Sequence, residues 1–410
     1  MSTAYDIEGW VADDDVDDET KGDMPFTLPG VTYVKKLGEG GQGKVVLVET
    51  KHGQAALKWE SMASYLPTWE ETSDIMIEAR NLEALGEHPH LIRMIGRGSE
   101  VKGYTRYIYL LLELHEGDLW NWYKDSVHPT QESIAQWEHT RPILFDRDRV
   151  RRHMAVHVGL ALEHLQSKGY IHRDMKPANM GIAHDDQQPL RIILCDLGFA
   201  RQIADEKGML IDPELRNFRP ATTWTYASPQ TLRDKPQYFL DDAITLIFSL
   251  VRDQFISGGH RMFDSSSPLH QQMATDVDEF KRNPKRYAFN QQAMLKEMFL
   301  ADPERFMADL RDEDRPDSSA SLPPWLIGMI ESLRDVHPES RVDWHHVIGS
   351  ISLEEIEEVE PSPRRDNEEE RPKRPLSSSS AKVDVAQFLA SSSKDKNKSQ
   401  PTKKPLVVLY

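Results

Sequence analysis

Cysteine is all but missing from this 410-residue chain. A single thiol, Cys195, excludes an internal disulfide framework and any cysteine-built zinc module, and it suits a reducing compartment. Long apolar runs are missing too. The longest, near 107–112 and 243–251, fall well short of the roughly 20 residues a spanning helix needs, so no membrane association is expected. The acidic N-terminus shows no charged-then-apolar signal pattern, and the chain is expected in the cytoplasm or nucleus. Nor is there a basic excess: 50 Lys and Arg face 67 Asp and Glu, a net charge of −17, which argues against nucleic acid as a partner. The sixteen histidines show no metal-ligand spacing, and His88, His90, His345 and His346 read as structural.

The charge is unevenly spread. Residues 1–28 form an acidic head centred on Asp13, Asp14, Asp15, Asp17, Asp18 and Glu19, with too little apolar surface to offset chain entropy. Residues 356–410 are rich in Ser, Pro and Lys, with Phe388 and Tyr410 the only aromatics of the last fifty. Both ends read as disordered, either as solvated tails or as docking arms. Between them, 29–114 opens with strand-like stretches at 31–37, 44–50 and 54–58. A helical pattern follows (Ile75, Ala79, Leu82, Leu85), then a buried strand near 107–114. From 115 to 355 the pattern turns helical. Met154, Val158, Ala161, Leu162 and Leu165 share one face of a helix that stops at Gly169. Strands first and helices later predict an α+β architecture of two lobes, one small and β-rich, one larger and mainly helical. The stretch 121–149 reads as a surface elaboration or a partner site.

The first chemical motif is Gly38-Glu39-Gly40-Gly41-Gln42-Gly43-Lys44-Val45. Glycines let a backbone approach an anionic ligand without side chains in the way. A dinucleotide-binding turn would open a helix, but Val45-Val46-Leu47-Val48 reads as a strand, which favours a glycine hairpin over phosphates. Lys58 ends an apolar strand, either as a snorkelling surface lysine or as a phosphate contact held by a carboxylate. Glu78 is the best candidate for that carboxylate, ahead of Glu71 and Glu83, because it precedes Leu82 and Leu85 on the core face.

The strongest signal is Ile171-His172-Arg173-Asp174-Met175-Lys176-Pro177-Ala178-Asn179. Asp174 suits proton acceptance from an alcohol, Lys176 neutralises charge on a transferring phosphoryl group, and Asn179 offers a neutral oxygen to magnesium. Asp196, in Asp196-Leu197-Gly198, leaves an apolar strand as a natural second magnesium ligand. Cys195 before it reads as packing.

These elements, in this order, resemble the eukaryotic protein kinase catalytic domain over roughly 29–350. The resemblance implies a two-lobed fold, ATP and Mg2+, and protein substrates. It implies that Gly38, Gly40, Gly43 and Val45 cover the nucleotide, that Leu112, Glu113 and Leu114 form the gatekeeper and hinge, and that Asp118 meets the ribose. Lys58, Glu78, Asp174 and Lys176 take the catalytic positions, with Thr223 holding Asp174 and Lys176 in place, and Asn179 and Asp196 take the metal. Lys176 implies transfer to serine or threonine. Thr222-Thr223-Trp224-Thr225-Tyr226-Ala227-Ser228-Pro229-Gln230, Ala56-Leu57-Lys58-Trp59-Glu60-Ser61 and Asp241-Asp242-Ala243-Ile244 resemble the casein kinase I group. That group's preference for acidic or phosphorylated sites would draw on Lys207, Arg216 and Arg219. Gln230 stands where a glutamate is usual, and Arg341 is the candidate for that glutamate's arginine partner.

Between Phe199 and Ala221 there is no Ser, Thr or Tyr, so hydroxyl phosphorylation is ruled out there. Arg173 is instead expected to meet a carboxylate such as Asp205, Glu206, Asp212 or Glu214. The serine run 377–380 is a candidate autophosphorylation site. The rival reading is a pseudokinase or scaffold that binds ATP without turnover.

Overall fold

The computed structural model describes residues 24–40, 43–127, 130–131, 146–183, 190–205, 207–211, 223–255, 283–309, 322–351 and 353. Its N-terminal lobe is one antiparallel sheet of β1 (Val31–Gly40), β2 (Gly43–Thr50), β3 (Gly53–Ala63), β4 (Met94–Lys102) and β5 (Thr105–Glu113), in the order β1-β2-β3-β5-β4. Alternation along the strands divides it into two cores. Leu47, Ala56, Ile108, Leu110 and Leu112 face the main core with Ile75, Ala79, Leu82 and Leu85 of the helix α2 (Asp74–Leu85), which follows the single turn α1 (Trp69–Thr72). Val46, Val48, Ala55, Leu57, Trp59, Tyr109 and Leu111 point the other way.

That second face needs a cover, and Met24, Phe26 and Leu28 supply it, each under 10% exposed. Phe26 stacks on Tyr109 at 5.8 Å and meets Trp59 edge-on at 5.7 Å. The acidic head read over 1–28 therefore gives way to the folded lobe at residue 24. The rest of the head, like the tail beyond residue 353, lies outside the described residues. Strand β4 was not apparent in the sequence, since Gly96, Gly98 and its charges break the alternation.

The second lobe is built on α4 (Arg147–Ser167), reached through β6 (His115–Asp118) and α3 (Leu119–Val127). Asp146 caps α4 by accepting from the Arg149 amide, and every apolar residue named above for this helix is buried. Gly169, at φ 78°, ends it; a Cβ there would sit 2.3 Å from the Ala204 carbonyl oxygen. The long α6 (Phe239–Phe255), preceded by the one-turn α5 (Pro229–Leu232), packs on α4. Next come α7 (Pro284–Ala301), α8 (Pro303–Asp309), α9 (Pro324–Arg334) and α10 (Trp344–Ile348). Two short ladders lie at the boundary between lobes. One pairs β6 with β8 (Met180–Ala183) and β9 (Arg191–Leu194), and the other pairs β7 (Tyr170–Ile171) with β10 (Arg201–Gln202). Backbone bonds from Ile92 to Leu194 and from Leu194 to His90 tie the lobes together. Most of the 121–149 elaboration, including Trp137, falls outside the described residues.

Histidines also join the lobes. His90 stacks on His157 at 4.1 Å, His88 stacks on His164 at 4.8 Å, and His153 meets His157 edge-on. The His157 Nδ1 accepts from the Ile192 amide, so this ring holds structure as a neutral imidazole. Burial lowers His157 to about 2 and His88 to about 4. Unfolded imidazoles take up protons near pH 6.5 while the folded ones do not, so the stabilisation is present above that pH and is lost as pH falls. Between pH 7.5 and 5, His157 is expected to remove roughly 2 kcal/mol. Asp118 and Asp241, raised to about 6 by burial, act in the opposite sense, so the reading is a difference. Urea titrations of wild type and His157→Phe across this range should show a slope shallower in the variant by that amount; equal slopes would remove the histidines from the acid response.

Candidate functional site

The site is assembled between the lobes. From β3, Lys58 reaches the Glu78 carboxylate of α2 at 2.7 Å and Asp196 Oδ1 at 3.4 Å. Burial alone would favour the neutral amine, but the two carboxylates outweigh it and hold the ammonium above the ordinary lysine value. Helix α2 is placed for this contact from both ends. Its N-cap, Ser73, donates to Glu60 of β3, and Asn81 donates its amide to the carbonyls of Leu197 and Ala200 at 2.7 and 3.0 Å.

Asp174 lies in the loop after β7. Its Oδ2 accepts from Lys176 Nζ at 2.6 Å and Asn179 Nδ2 at 3.1 Å, and its Oδ1 accepts from the amide and hydroxyl of Thr223, both at 3.2 Å. Burial pushes the Asp174 carboxyl up, but the Lys176 ammonium, with smaller help from His172 and Asn179, holds it below the ordinary aspartate value. The Asn179 Nδ2 also bonds the Asp174 carbonyl, which leaves its Oδ1 as the atom that could hold a metal. Asp196 sits in the left-handed region at φ 60° and Arg173 at φ 74°. Strained backbone persists where surrounding contacts over-determine it, and here the Asp242 carboxylate of α6 accepts the amides of both His172 and Arg173.

A cleft lies among these groups, lined by Val45, Lys58, Glu78, Ile92, Leu112, Ala178, Asn179, Cys195 and Asp196. Gly38, Gly40 and Gly43 lie in the β1–β2 hairpin, with Gly40 paired to Gly43. At Gly43 a Cβ would lie 2.4 Å from the Trp59 carbonyl oxygen, so only glycine closes this turn; its tip, Gly41 and Gln42, is outside the described residues. The hairpin, followed by a strand, settles the choice against a helix-opening turn. Glu113 ends the fifth strand and Leu114 follows it, but the Glu113 carboxylate is turned away to the Arg93 amide and Arg191. Asp118 accepts from the backbone and side-chain nitrogens of Asn121 at 2.8 and 2.7 Å, as the cap of α3.

The protein kinase domain family matches residues 31–350. The chain belongs to the protein kinase family. Among its relatives, this kinase is 29% identical over 171 residues to serine/threonine-protein kinase 16 of Mus musculus, covering 42% of this chain and 50% of that protein. It is 26% identical over 151 residues to ribosomal protein S6 kinase alpha-2 of Mus musculus and over 148 residues to ribosomal protein S6 kinase alpha-1 of Homo sapiens. Each match covers 36% of this chain. It spans 16% of the length of these S6 kinases.

Of the four carboxylates expected to meet Arg173, only Asp205 lies among the described residues. Arg173 donates to the Gln237 side-chain oxygen at 2.8 Å and to the Phe199 carbonyl, whereas Asp205, one of its expected partners, is used by the amides of Lys207 and Met209. Glu206, Asp212 and Glu214 lie outside the described residues, as do Arg216 and Arg219. Gln230 is exposed, and Arg341 lies instead beside Gly208, 3.3 Å from where a Cβ would stand. Leu197, where phenylalanine is usual, is fully buried in the main core. Sequence reasoning noted Asp242 only as a group mark and missed Asn81. An aspartate opening an apolar helix was the one visible signal for the former; Asn81 gave none. Among the described residues, no helix is long and apolar enough to cross a membrane, and no group of three His, Cys, Asp or Glu side chains is arranged for a metal.

Proposed function

We propose that this kinase transfers the γ-phosphoryl group of Mg-ATP to serine or threonine hydroxyls of protein substrates. The observation that carries this reading is the simultaneous engagement, at one cleft, of Lys58 with Glu78 and Asp196 and of Asp174 with Lys176, Asn179 and Thr223. Asn179 and Asp196 offer the hard oxygen donors that suit magnesium. Mg-ATP, when bound, supplies the phosphoryl group and the cationic charge that offsets its oxygens.

The protein's own part is positioning and charge. The hairpin glycines present bare backbone to phosphate, and Lys58, fixed by Glu78, sets a positive charge inside the cleft. Val45, Ile92 and Leu112 form apolar walls for a base, with backbone groups of Glu113 and Leu114 at its edge and Asp118 beside a ribose. Asp174 accepts the proton of the substrate hydroxyl, and Lys176 neutralises charge next to it. Thr223 holds the Asp174 carboxylate from the substrate side. Serine and threonine specificity rests on Lys176 and is in keeping with the name of serine/threonine-protein kinase 16. The narrower casein kinase I-like reading rests on the runs at 56–61, 222–230 and 241–244 alone. The relatives reported above are named for other kinases, so no substrate preference is drawn from that group.

The test is transfer of labelled phosphate from Mg-ATP to casein and to the protein itself, with phosphoamino-acid analysis. Phosphoserine or phosphothreonine is expected, the serine run 377–380 being the candidate site within the chain. Activity should survive phosphatase treatment, because 199–221 carry no hydroxyl to modify. ATP bound without transfer would shift the reading to a pseudokinase scaffold.

A further inference from the structure

Helix α7 buries Ala293, Leu295 and Phe299 as hydropathy predicts, but departs from it at three positions. Met294 and Met298 are 44% and 43% exposed, while Lys296 between them is 0% exposed. A lysine is almost never fully buried unless its charge is satisfied. Its Nζ donates to the carbonyls of Trp224, Thr225 and Ala227 at 3.3, 3.0 and 2.5 Å, one for each ammonium proton. The same nitrogen lies 4.5 Å from the centre of the Phe248 ring. These three carbonyls belong to the turn directly after Thr223, the residue that touches Asp174.

The rest of α7 grips the same segment. Phe289 stacks on Trp224 at 4.3 Å, Glu297 pairs with Arg233, and Arg286 donates to the Arg233 carbonyl at 2.7 Å. Meanwhile the position that would anchor this segment through a carboxylate is Gln230, which is exposed, and Arg341 is elsewhere.

We infer that Lys296 is a positioning residue that fastens the 224–227 turn, and with it the platform for the protein substrate, in place of the missing glutamate–arginine pair. The inference rests on the kinase reading above. An ammonium suits the task because one rigid point charge gathers three carbonyls of a single turn. Burial drives its pKa well below the ordinary lysine value, a cost offset by those carbonyls and by the ring beneath.

The test compares full-length wild type with Lys296→Met, which keeps the bulk and removes every donor, and Lys296→Gln, which keeps two N–H donors without the charge. For Lys296→Met, KM for casein is expected to rise about tenfold or more, while KM for ATP stays within about twofold and kcat within about threefold. Lys296→Gln should fall between. Hydrogen exchange of the amides in 225–232 should quicken about tenfold in Lys296→Met, a reading that needs no activity. Unchanged exchange would overturn the inference. So would equal losses toward casein and ATP, or failure of both variants to bind Mg-ATP, since each makes Lys296 a residue of the fold at large. If the wild type itself transfers no phosphate, the proposed function fails, and the exchange measurement alone decides the tether.

Discussion

Asp174→Asn is expected to lower kcat by roughly 10³-fold while leaving ATP affinity within about threefold. The carboxylate is the only group of the loop that both accepts a proton and is held ionised, by Lys176 at 2.6 Å. Asparagine keeps the shape, and its oxygen can still accept from Thr223, so the loop should remain in place. What is lost is the capacity to take the hydroxyl proton as the new bond to phosphorus forms. A change confined to kcat marks an interaction made only in the transition state. Single-turnover transfer to casein, beside nucleotide titration of the same variant, separates the two quantities. A kcat within tenfold of wild type would remove Asp174 from its role.

Lys58→Met should be comparably severe for transfer, by 10² or more, and unlike Asp174→Asn it should also cost stability. Glu78 is 1% exposed on its side chain and its oxygen lies 2.7 Å from the ammonium. Removing one member of a buried pair leaves the other charge uncompensated, at a cost of about 3–5 kcal/mol. Replacing both by apolar residues is often close to neutral. The double variant Lys58→Met with Glu78→Met is therefore expected to regain most of the lost stability and none of the activity. Urea midpoints and phosphate transfer on the same three proteins check this. Recovery of transfer in the double variant would show that Lys58 acts only as the neutraliser of Glu78.

The loop 171–179 was legible because its chemistry is local: Asp174, Lys176 and Asn179 meet within one turn, and their spacing alone brings them together. Lys58 and Glu78 were legible because strand and helix periodicity each placed one residue toward the same core. Asn81, Asp242 and Lys296 were not. Their partners lie far along the chain, at Leu197, His172 and Trp224, and only the packed fold makes them neighbours. Lys296 was further hidden because it shares the buried side of its helix with Leu295 and Phe299 while its apolar neighbours Met294 and Met298 are exposed. Strand β4 and the cover of Met24, Phe26 and Leu28 escaped for a related reason. Their burial is set by a sheet surface built elsewhere; β4 carries no periodic signal, and the alternation of Met24, Phe26 and Leu28 is too short to mark an element.

Cys195 is 6% exposed, it lines the cleft beside Asp196, and burial raises its thiol pKa well above the ordinary value. It is also the only sulfhydryl in 410 residues. A small alkylating reagent therefore meets an inert protein as long as the lobes stay shut, and any adduct it forms reports on one place. The rate of that modification becomes an intrinsic clock for breathing of the interlobe cleft. On the proposed function, Mg-ATP is expected to slow the clock by covering Cys195, and Asn81→Ala, which frees α2 from the Leu197 carbonyl, to speed it up, with no label engineered into the chain.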